Sequence, residues 1–352
     1  MQAVLDLFNQ VPRATWSLAS SLRDSGPKEA QVVENPEIIH FNADEFEIRH
    51  RIDIPSVLHP QERSALLILN QELRLSRKFL QALWDSSGIC VCADGGANRL
   101  HDFFADERER SEYLPTYIVG DLDSLRDDVR EFYERHDVVV LEQSTQYASD
   151  LMKSVQVSSL HFNHVPFREC ARKGRVGTLN GVGEMIAARQ AADWAPEPLR
   201  LLVLNAIDGR FDQTVHSVAQ MYTLRAQHPY LTLFYITPTD LLFLVPAGGA
   251  CVSYTPDLRT AMFGCCGLLP LAGTCVLRRT CGLKWDVRAW ETSIAAGKVS
   301  SSNYLVGDSG CYIDTDRDIL MSIELRWSGV DKWYAAAQLP NHPNHPSGAA
   351  GA

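Results

Sequence analysis

The sequence predicts an α/β domain followed by an all-β domain: an amino-terminal parallel, doubly wound sheet, then an antiparallel domain of the sandwich or barrel type. Two patterns carry this prediction. In the first part of the chain, short apolar strands alternate with helical segments, as in parallel sheets. Beyond about residue 238 the chain has short strands separated by Gly and Pro turns, as in antiparallel domains. We therefore expect the α/β domain over 61–237 and the β domain over 238–335.

Length and composition are those of a soluble globular protein. The chain has 352 residues, of which 45% are hydrophobic and 22% charged, and this is enough for two domains. The formal net charge of −10 argues against binding to nucleic acid or to anionic membranes, and no apolar run is long enough to span a bilayer. Nine cysteines without paired spacing indicate a reducing compartment. We expect the cytoplasm, with a mitochondrial presequence in the first 25 residues as the alternative.

The hydrophobic pattern predicts the following elements in chain order. Residues 1–60 have weak periodicity and several prolines, which predicts a poorly structured extension. The first buried strand is expected at Ser64–Asn70 and the second at Gly88–Ala93. Further strands are expected at Pro115–Val119, Val138–Leu141, Arg200–Leu204 and Leu231–Ile236. Residues 157–198 do not fit this alternation and are predicted to be an insertion in a surface connection. The low-complexity tail, 336–352, is predicted to be disordered.

Carboxylates follow the third and fourth predicted strands. Asp121 and Asp123 come directly after Gly120, and Asp150 lies at a predicted helix start. Because open α/β sheets bind ligands at the carboxyl ends of their strands, acids at this edge suit Mg²⁺, which usually comes with a phosphate. Ser124 is expected to cap the next helix. The structural alternative is that these acids are ordinary turn and helix-start residues.

Two other turns at this edge suit a polyphosphate. Asp94–Arg99 contains paired glycines and opens a helix, which permits close backbone approach and favours anions, although such turns are more often structural. After the fifth strand, Arg210 is a fitting counter-charge for phosphates, and Asp212 could hold a metal ion or orient Arg210. The alternative is a buried Arg210–Asp212 pair that shapes the turn.

The β domain contains an aromatic residue, Trp285, and a hydroxyl and amide cluster, Val299–Asn303. An aromatic plane beside such groups suits a flat heteroaromatic ligand. A tryptophan in a β domain is nevertheless more often part of the core.

These motifs resemble those of the thiamine pyrophosphokinase family, in the family's order, from about Leu66 to Leu325. The matching segments are Leu69-Asn-Gln, Cys92-Ala-Asp-Gly-Gly-Ala-Asn-Arg-Leu, Gly120-Asp-Leu-Asp-Ser, Gln146 with Ser149-Asp150-Leu, Gly209-Arg-Phe-Asp-Gln, Cys266-Gly-Leu-Leu-Pro, Gly282-Leu-Lys-Trp and Val299-Ser-Ser-Ser-Asn. The resemblance implies Mg²⁺-dependent transfer of pyrophosphate from ATP to thiamine, which gives thiamine diphosphate and AMP. It also implies a thiamine-binding β domain and a homodimer with active sites at the subunit interface.

The resemblance also implies roles by position. The acids of metal binding and pyrophosphate transfer are Asp121, Asp123 and Asp150, and Arg210 and Asp212 complete the catalytic set. The ATP-facing residues are Asp94, Gly95, Gly96, Asn98, Arg99, Gly209, Arg210, Phe211 and Gln213. The thiamine-facing residues are Gln146, Trp285, Ser300, Ser302 and Asn303. Either Asp150 or Asp121 would accept the proton of the thiamine hydroxyl.

The chain departs from the family pattern at a few positions. Tyr147 stands where the family usually has an acid, and Asn205 and Asp208 where it usually has glycine. Tyr147 and Asp208 support an alternative class, a thiamine- or nucleotide-binding sensor that has lost transfer, whereas the retained acids and Arg210 favour the enzyme. A dinucleotide-dependent oxidoreductase is set aside, because the G-x-G-x-x-G that it needs does not follow the first strand.

Overall fold

The structure is a computed structural model, and it describes residues 30–59, 63–192 and 194–337. It divides into two compact units. The β unit consists of residues 30–55 and 243–326, and the α/β unit consists of residues 56–242 and 327–337.

The elements follow in chain order. The strands are β1 (Gln31–Glu34), β2 (His50–Asp53), β3 (Ser64–Ile68), β4 (Ile89–Ala93), β5 (Tyr117–Gly120), β6 (Val139–Glu142), β7 (Leu199–Leu204), β8 (Leu231–Ile236), β9 (Asp240–Val245), β10 (Ala250–Ser253), β11 (Phe263–Leu269), β12 (Cys275–Cys281), β13 (Trp285–Thr292), β14 (Ser300–Tyr304), β15 (Gly310–Thr315) and β16 (Ile319–Leu325). The helices are α1 (Ile54–Leu58), α2 (Arg77–Ser86), α3 (Gly96–Phe103), α4 (Glu107–Glu112), α5 (Asp127–Arg135), α6 (Asp150–Asn163), α7 (Val165–Arg172), α8 (Gly181–Gln190), α9 (Phe211–Gln227), α10 (Pro256–Met262) and α11 (Trp327–Ala337).

The α/β unit contains six parallel strands in the order β8-β7-β3-β4-β5-β6. From β3 the chain adds strands on one side through β6 and then crosses to the other side of β3 for β7 and β8, which is the predicted doubly wound arrangement. All residues of β3 and β4 are buried, as continuous apolar runs in a parallel sheet should be. Parallel pairing brings the carboxyl ends of these strands to one edge.

The β unit is rich in antiparallel strands, and the predicted fold class is confirmed. One sheet has the order β1-β13-β12-β15-β10-β2, in which the β10–β2 pair is parallel and the other pairs are antiparallel. Strand β11 pairs with β14 and β16, also antiparallel.

The structure differs from the predicted extension over residues 1–60. Its described part, 30–59, contains β1, β2 and α1, and β1 and β2 form the two edges of the six-stranded sheet. The prediction of a poorly structured segment is therefore wrong for these residues. Their side chains are mostly exposed or half-buried, so the strands have little apolar periodicity and are held largely by backbone pairing. Residues 1–29 lie outside the described chain.

Two other boundaries differ from those expected. The predicted insertion, 157–198, includes part of α6 together with α7 and α8, of which α7 packs on β6 and α8 packs on α6. These helices belong to the α/β unit. Residues 327–335 were expected in the β domain, but they form most of α11, which belongs to the α/β unit and packs on α2. The predicted disordered tail lies outside the described residues from 338 onward. Across the described ranges, no helix combines the length and apolar character needed to cross a membrane.

Candidate active site

Three carboxylates meet at the carboxyl edge of the parallel sheet. Asp94 follows β4, Asp121 follows β5, and Asp150 opens α6 after β6. One carboxylate oxygen from each lies within 4.8 Å of the others. The predicted metal-binding set is Asp121, Asp123 and Asp150, and the structure brings Asp121 and Asp150 together with Asp94 rather than with Asp123.

Asp94 is the most deeply buried of the three, with 3% of its surface exposed. Its Oδ2 accepts a hydrogen bond from the Ser124 amide at 3.2 Å, whereas its Oδ1 is buried and has no hydrogen-bond partner among the described residues. Burial, together with the negative charge of Asp150, raises the pKa of Asp94 to about 6. A buried carboxylate oxygen without a partner, next to two further carboxylates, fits a hard divalent cation such as Mg²⁺.

Asp150 is paired with a buried lysine. Ser149 caps α6 by accepting the Met152 amide, which confirms the predicted helix start and fixes Asp150 in the first turn. The Lys153 ammonium group lies 3.1 Å from Oδ1 of Asp150, and 3% of the lysine side chain is exposed. Burial raises the pKa of Asp150, while the hydrogen bond and charge of Lys153 oppose that rise.

Asp121 is held by the next loop. Its Oδ2 accepts a hydrogen bond from Nε2 of Gln146 at 3.0 Å, so Gln146, predicted on the thiamine side, contacts the acidic cluster. Partial burial acts to raise the pKa of Asp121, but the hydrogen bonds from Gln146 and the Asp123 amide and the charge of Lys153 outweigh it and lower the pKa.

Asp123 has a different environment from the three clustered acids. Its Oδ1 accepts a hydrogen bond from the Ser124 hydroxyl at 3.0 Å. Between Asp121 and Asp123, Leu122 has φ +66°. This left-handed conformation ends the regular alternation of side-chain directions that the preceding strand β5 has. Ser124 does not cap the following helix, which begins at Asp127 after Arg126. The metal-binding role of Asp123 stays a prediction.

Gly120 is required by the close approach of these acids. A Cβ added at this position would lie 2.6 Å from Cβ of Asp94 and 3.3 Å from Oδ1 of Asp150. Any side chain would therefore push into the cluster. Gly96, one of the predicted nucleotide-facing glycines, also has no room for a side chain. A Cβ added there would lie 2.1 Å from the carbonyl oxygen of Ile68 in β3.

Two other predicted ATP-facing residues, Asn98 and Arg99, make hydrogen bonds to the loops beside the acidic cluster. Asn98 donates to the Ser124 carbonyl at 2.6 Å and accepts from the Arg126 amide at 3.1 Å. Its side chain thus fixes the segment that follows Asp123. Arg99 donates from Nε to Oδ1 of Asn70 at 2.9 Å, and Gly95 lies beside the same asparagine.

The turn after β7 presents exposed groups. Arg210 and Asp212 form an ion pair, but their side chains are 75% and 62% exposed, so the alternative of a buried pair that shapes the turn is wrong. Phe211 is 80% exposed, and Gly209 and Gln213 flank it at the start of α9. This turn therefore exposes side chains of both charge signs and an aromatic ring.

The positions at which the chain departs from the family are accommodated. Asn205 has φ +63°, which asparagine tolerates better than most residues, and its Nδ2 donates to the Gln71 carbonyl at 2.7 Å. Asp208 pairs with Arg74 at 2.9 Å. Tyr147 is fully exposed. Because Asp94 supplies the third carboxylate, the absence of an acid at position 147 does not leave the cluster short of one.

In the β unit, the predicted thiamine-facing residues surround the start of β13. Asn303 is buried; its Oδ1 accepts from the Trp285 amide at 3.0 Å and its Nδ2 donates to the Trp285 carbonyl at 2.9 Å. It therefore positions the tryptophan backbone. The Trp285 ring is half-buried, with its centroid 6.3 Å from that of Tyr304. Ser300 and Ser302 lie on β14, one half-buried and the other exposed.

Sequence reasoning missed Lys153 and the membership of Asp94 in the acidic cluster. The spacing of Lys153 from Asp150, three positions along a helix, was a usable signal, since side chains at this spacing contact each other. For Asp94, the signal was its place at the end of a strand next to the one that carries Asp121.

Comparisons with known proteins agree with the geometry. Residues 80–233 match the family model described as "Thiamin pyrophosphokinase, catalytic domain", and residues 255–320 match "Thiamin pyrophosphokinase, vitamin B1 binding domain". A thiamine pyrophosphokinase of Saccharomyces cerevisiae is 41% identical over 84% of this chain and 96% of its own length, and one of Arabidopsis thaliana is 29% identical over 76% of this chain and 88% of its own.

Solved structures give the same result. The crystal structure of yeast thiamin pyrophosphokinase is 40% identical, with a TM-score of 0.81 over 87% of this chain and 99% of that one. The thiamin pyrophosphokinase from Candida albicans is 35% identical, with a TM-score of 0.75 over 84% of this chain and 99% of that one. The resemblance inferred from the sequence motifs is confirmed, and the chain belongs to the thiamine pyrophosphokinase family.

Proposed function

We propose that this chain is a thiamine diphosphokinase, which transfers pyrophosphate from ATP to the hydroxyl of thiamine and releases AMP and a proton. Family membership supports the reaction, and one observation carries its site: the carboxylates of Asp94, Asp121 and Asp150 gathered at the carboxyl edge of the parallel sheet. Acids at this edge of an open α/β sheet are placed to bind a metal–nucleotide complex.

The three carboxylates are the proposed ligands of Mg²⁺. A bound Mg²⁺ would offset the negative charge of the ATP phosphates during transfer. Lys153 holds Asp150 in place, Gln146 holds Asp121, and Asn98 fixes the loop that follows Asp123. These contacts orient the acids, and this orientation supports the alignment on which phosphoryl-type transfers depend.

Asp150 is the proposed acceptor of the thiamine hydroxyl proton. The sequence alone does not distinguish Asp150 from Asp121 for this role. The pKa of Asp150 is raised and that of Asp121 is lowered, and a general base works best when its pKa lies closer to the working pH. Arg210 is exposed at the start of α9. It is proposed to leave its ion pair with Asp212 and to bind the ATP phosphates instead.

The β unit is proposed to supply the thiamine side of the active site. Trp285, Ser300, Ser302 and Asn303 are proposed to face thiamine, supported by the match of residues 255–320 to a vitamin B1 binding domain. A homodimer with active sites at the subunit interface is the proposed assembly, and the exposed Phe211 and Tyr147 beside the predicted ATP and thiamine residues support it. The cytoplasm is the proposed location.

AMP release tests the proposal. Purified protein is incubated with ATP and Mg²⁺, with and without thiamine, beside the variants Asp121→Asn and Asp127→Asn. Asp127 is the matched control, because it is an exposed carboxylate outside the cluster. We expect thiamine-dependent AMP release from the native chain and from Asp127→Asn, and a loss of at least 100-fold in Asp121→Asn. Thiamine binding without AMP release would instead support a sensor, the alternative that the retained site acids disfavour.

A further inference from the structure

A basic depression lies on the six-stranded sheet of the β unit, outside every predicted site residue. Its volume is about 430 Å³. The lining residues, contributed by β12, β13 and β15, are Val276, Arg278, Arg279, Arg288, Ala289 and Asp314. Three arginines and one aspartate are therefore gathered in one depression, in a chain whose formal net charge is −10.

An irregularity in β12 concentrates these arginines. Leu277 pairs with Thr315 and Arg279 with Asp314, so Arg278 is an extra residue of β12 relative to β15. In a regular strand, consecutive side chains point to opposite faces, yet Arg278 and Arg279 both line the depression. Such bulges re-aim side chains and are common next to binding sites.

The facing strand is irregular at the same level. Ala289 on β13 has φ +47°, a conformation that a residue with a Cβ rarely adopts. Backbone strain of this kind persists only where the surrounding structure imposes it, and it is concentrated at ligand-binding positions.

Like charges oppose each other across the two strands. Arg279 is the register partner of Arg288, and directly opposed like charges destabilise a sheet. Burial and then the charge of Arg279 lower the pKa of Arg288.

Two of the arginines are held in fixed orientations. Arg279 lies over the Phe46 ring, with 4.6 Å between Cζ and the ring centroid. Arg278 donates to Oδ1 of Asp314 at 3.1 Å and to the Thr315 carbonyl at 3.3 Å. Oriented guanidinium groups lose less freedom when they bind an oxyanion, and their planar forks match phosphate oxygens.

We propose that this depression binds the phosphate group of a small phosphorylated molecule through Arg279 and Arg288, with Arg278 held by Asp314 beside them. The volume exceeds what one phosphate needs, so a phosphate ester is the class of ligand that fits. The inference does not depend on the proposed reaction, since it uses none of that site's residues.

Calorimetric titration of the full chain in EDTA tests the proposal, with inorganic phosphate and glucose 6-phosphate as probes. EDTA removes the divalent ions that the acidic cluster would need in order to hold phosphates. We expect both probes to bind the native chain and the ester to bind at least as tightly. We expect at least tenfold weaker binding in Arg279→Gln/Arg288→Gln. The control Arg51→Gln removes an exposed charge from β2 of the same sheet and should bind as the native chain does.

A second variant guards against misfolding. Arg279→Lys/Arg288→Lys keeps both charges but cannot form paired hydrogen bonds to phosphate, and we expect it to bind several-fold more weakly. Any of four results would overturn the proposal: no binding to the native chain, undiminished binding in the double variants, exclusion of the ester, or an equal heat from potassium chloride at matched ionic strength.

Discussion

The Lys153 ammonium group lies 3.1 Å from Oδ1 of Asp150, and 3% of the lysine side chain is exposed. This cation is therefore committed to the acidic cluster and is not a solvent-facing residue of α6. It offsets part of the repulsion among Asp94, Asp121 and Asp150, whose carboxylate oxygens lie within 4.8 Å of one another.

Removing this cation should destabilise the protein. Breaking a buried ion pair by deleting one partner costs about 3–5 kcal/mol, and the partial exposure of Asp150 reduces the expected loss for Lys153→Met to about 1–3 kcal/mol. Urea unfolding in EDTA measures it. The control is Lys173→Met, which removes an exposed i,i+4 partner of Glu169 and should change little. An unchanged unfolding free energy in Lys153→Met would contradict the assigned role.

The pH dependence of stability should report Asp94. Its pKa in the folded chain is raised to about 6 from an ordinary value of 3.8, so between pH 4 and 6 the folded state binds more protons than the unfolded state. Stability of the metal-free protein should therefore fall as the pH rises through this window. Asp94→Asn removes the cost of ionisation, and we expect it to be more stable than the native chain by about 1–3 kcal/mol at pH 8, with little difference at pH 4.

Thermal unfolding in EDTA at the two pH values measures this difference. Addition of Mg²⁺ supplies the matched test, because it should stabilise the native chain at pH 8 and have a smaller effect on Asp94→Asn. Equal responses of both proteins to Mg²⁺ would remove Asp94 from the proposed metal site.

Much of this site could be predicted because parallel strands have continuous apolar runs, and acids at their ends must share an edge. Asp121, Asp150 and the helix start at Ser149 followed from that reasoning. The choice of Asp94 over Asp123 did not, since it depends on the left-handed turn at Leu122, to which leucine has no intrinsic preference. Likewise, β1 and β2 have no apolar alternation because they are edge strands held largely by backbone pairing.

Arg210 should be important for activity and unimportant for folding. Its pair with Asp212 is exposed, and such pairs add little to stability. We expect Arg210→Gln to melt close to the native temperature while kcat/KM for ATP falls about 100-fold or more. Steady-state AMP release and a thermal melt on one preparation separate the two effects. A variant that melts much earlier would restore the structural reading of this pair.

Asn205 should tolerate glycine but not alanine. At φ +63° glycine is unstrained, whereas alanine meets the left-handed penalty of about 1–2 kcal/mol and also loses the hydrogen bond to the Gln71 carbonyl. We expect Asn205→Ala to lower the unfolding free energy by about 2 kcal/mol and Asn205→Gly to lower it by less. Chemical denaturation ranks the variants, and a loss of the same size in both would exclude backbone conformation as the reason.

The pairing of β1 and β2 bears on how the protein can be shortened for expression. Because the sequence pattern predicts a poorly structured extension over residues 1–60, a shortened version would be started near residue 61. A chain that starts there would lack β1, which pairs with β13, and β2, which pairs with β10. The backbone amides and carbonyls of β13 and β10 that bond to these strands would then have no partners. Unprotected strand edges recruit other chains. A protein trimmed in this way should aggregate even with its catalytic domain intact, whereas one that begins at residue 30 keeps β13 and β10 paired with β1 and β2.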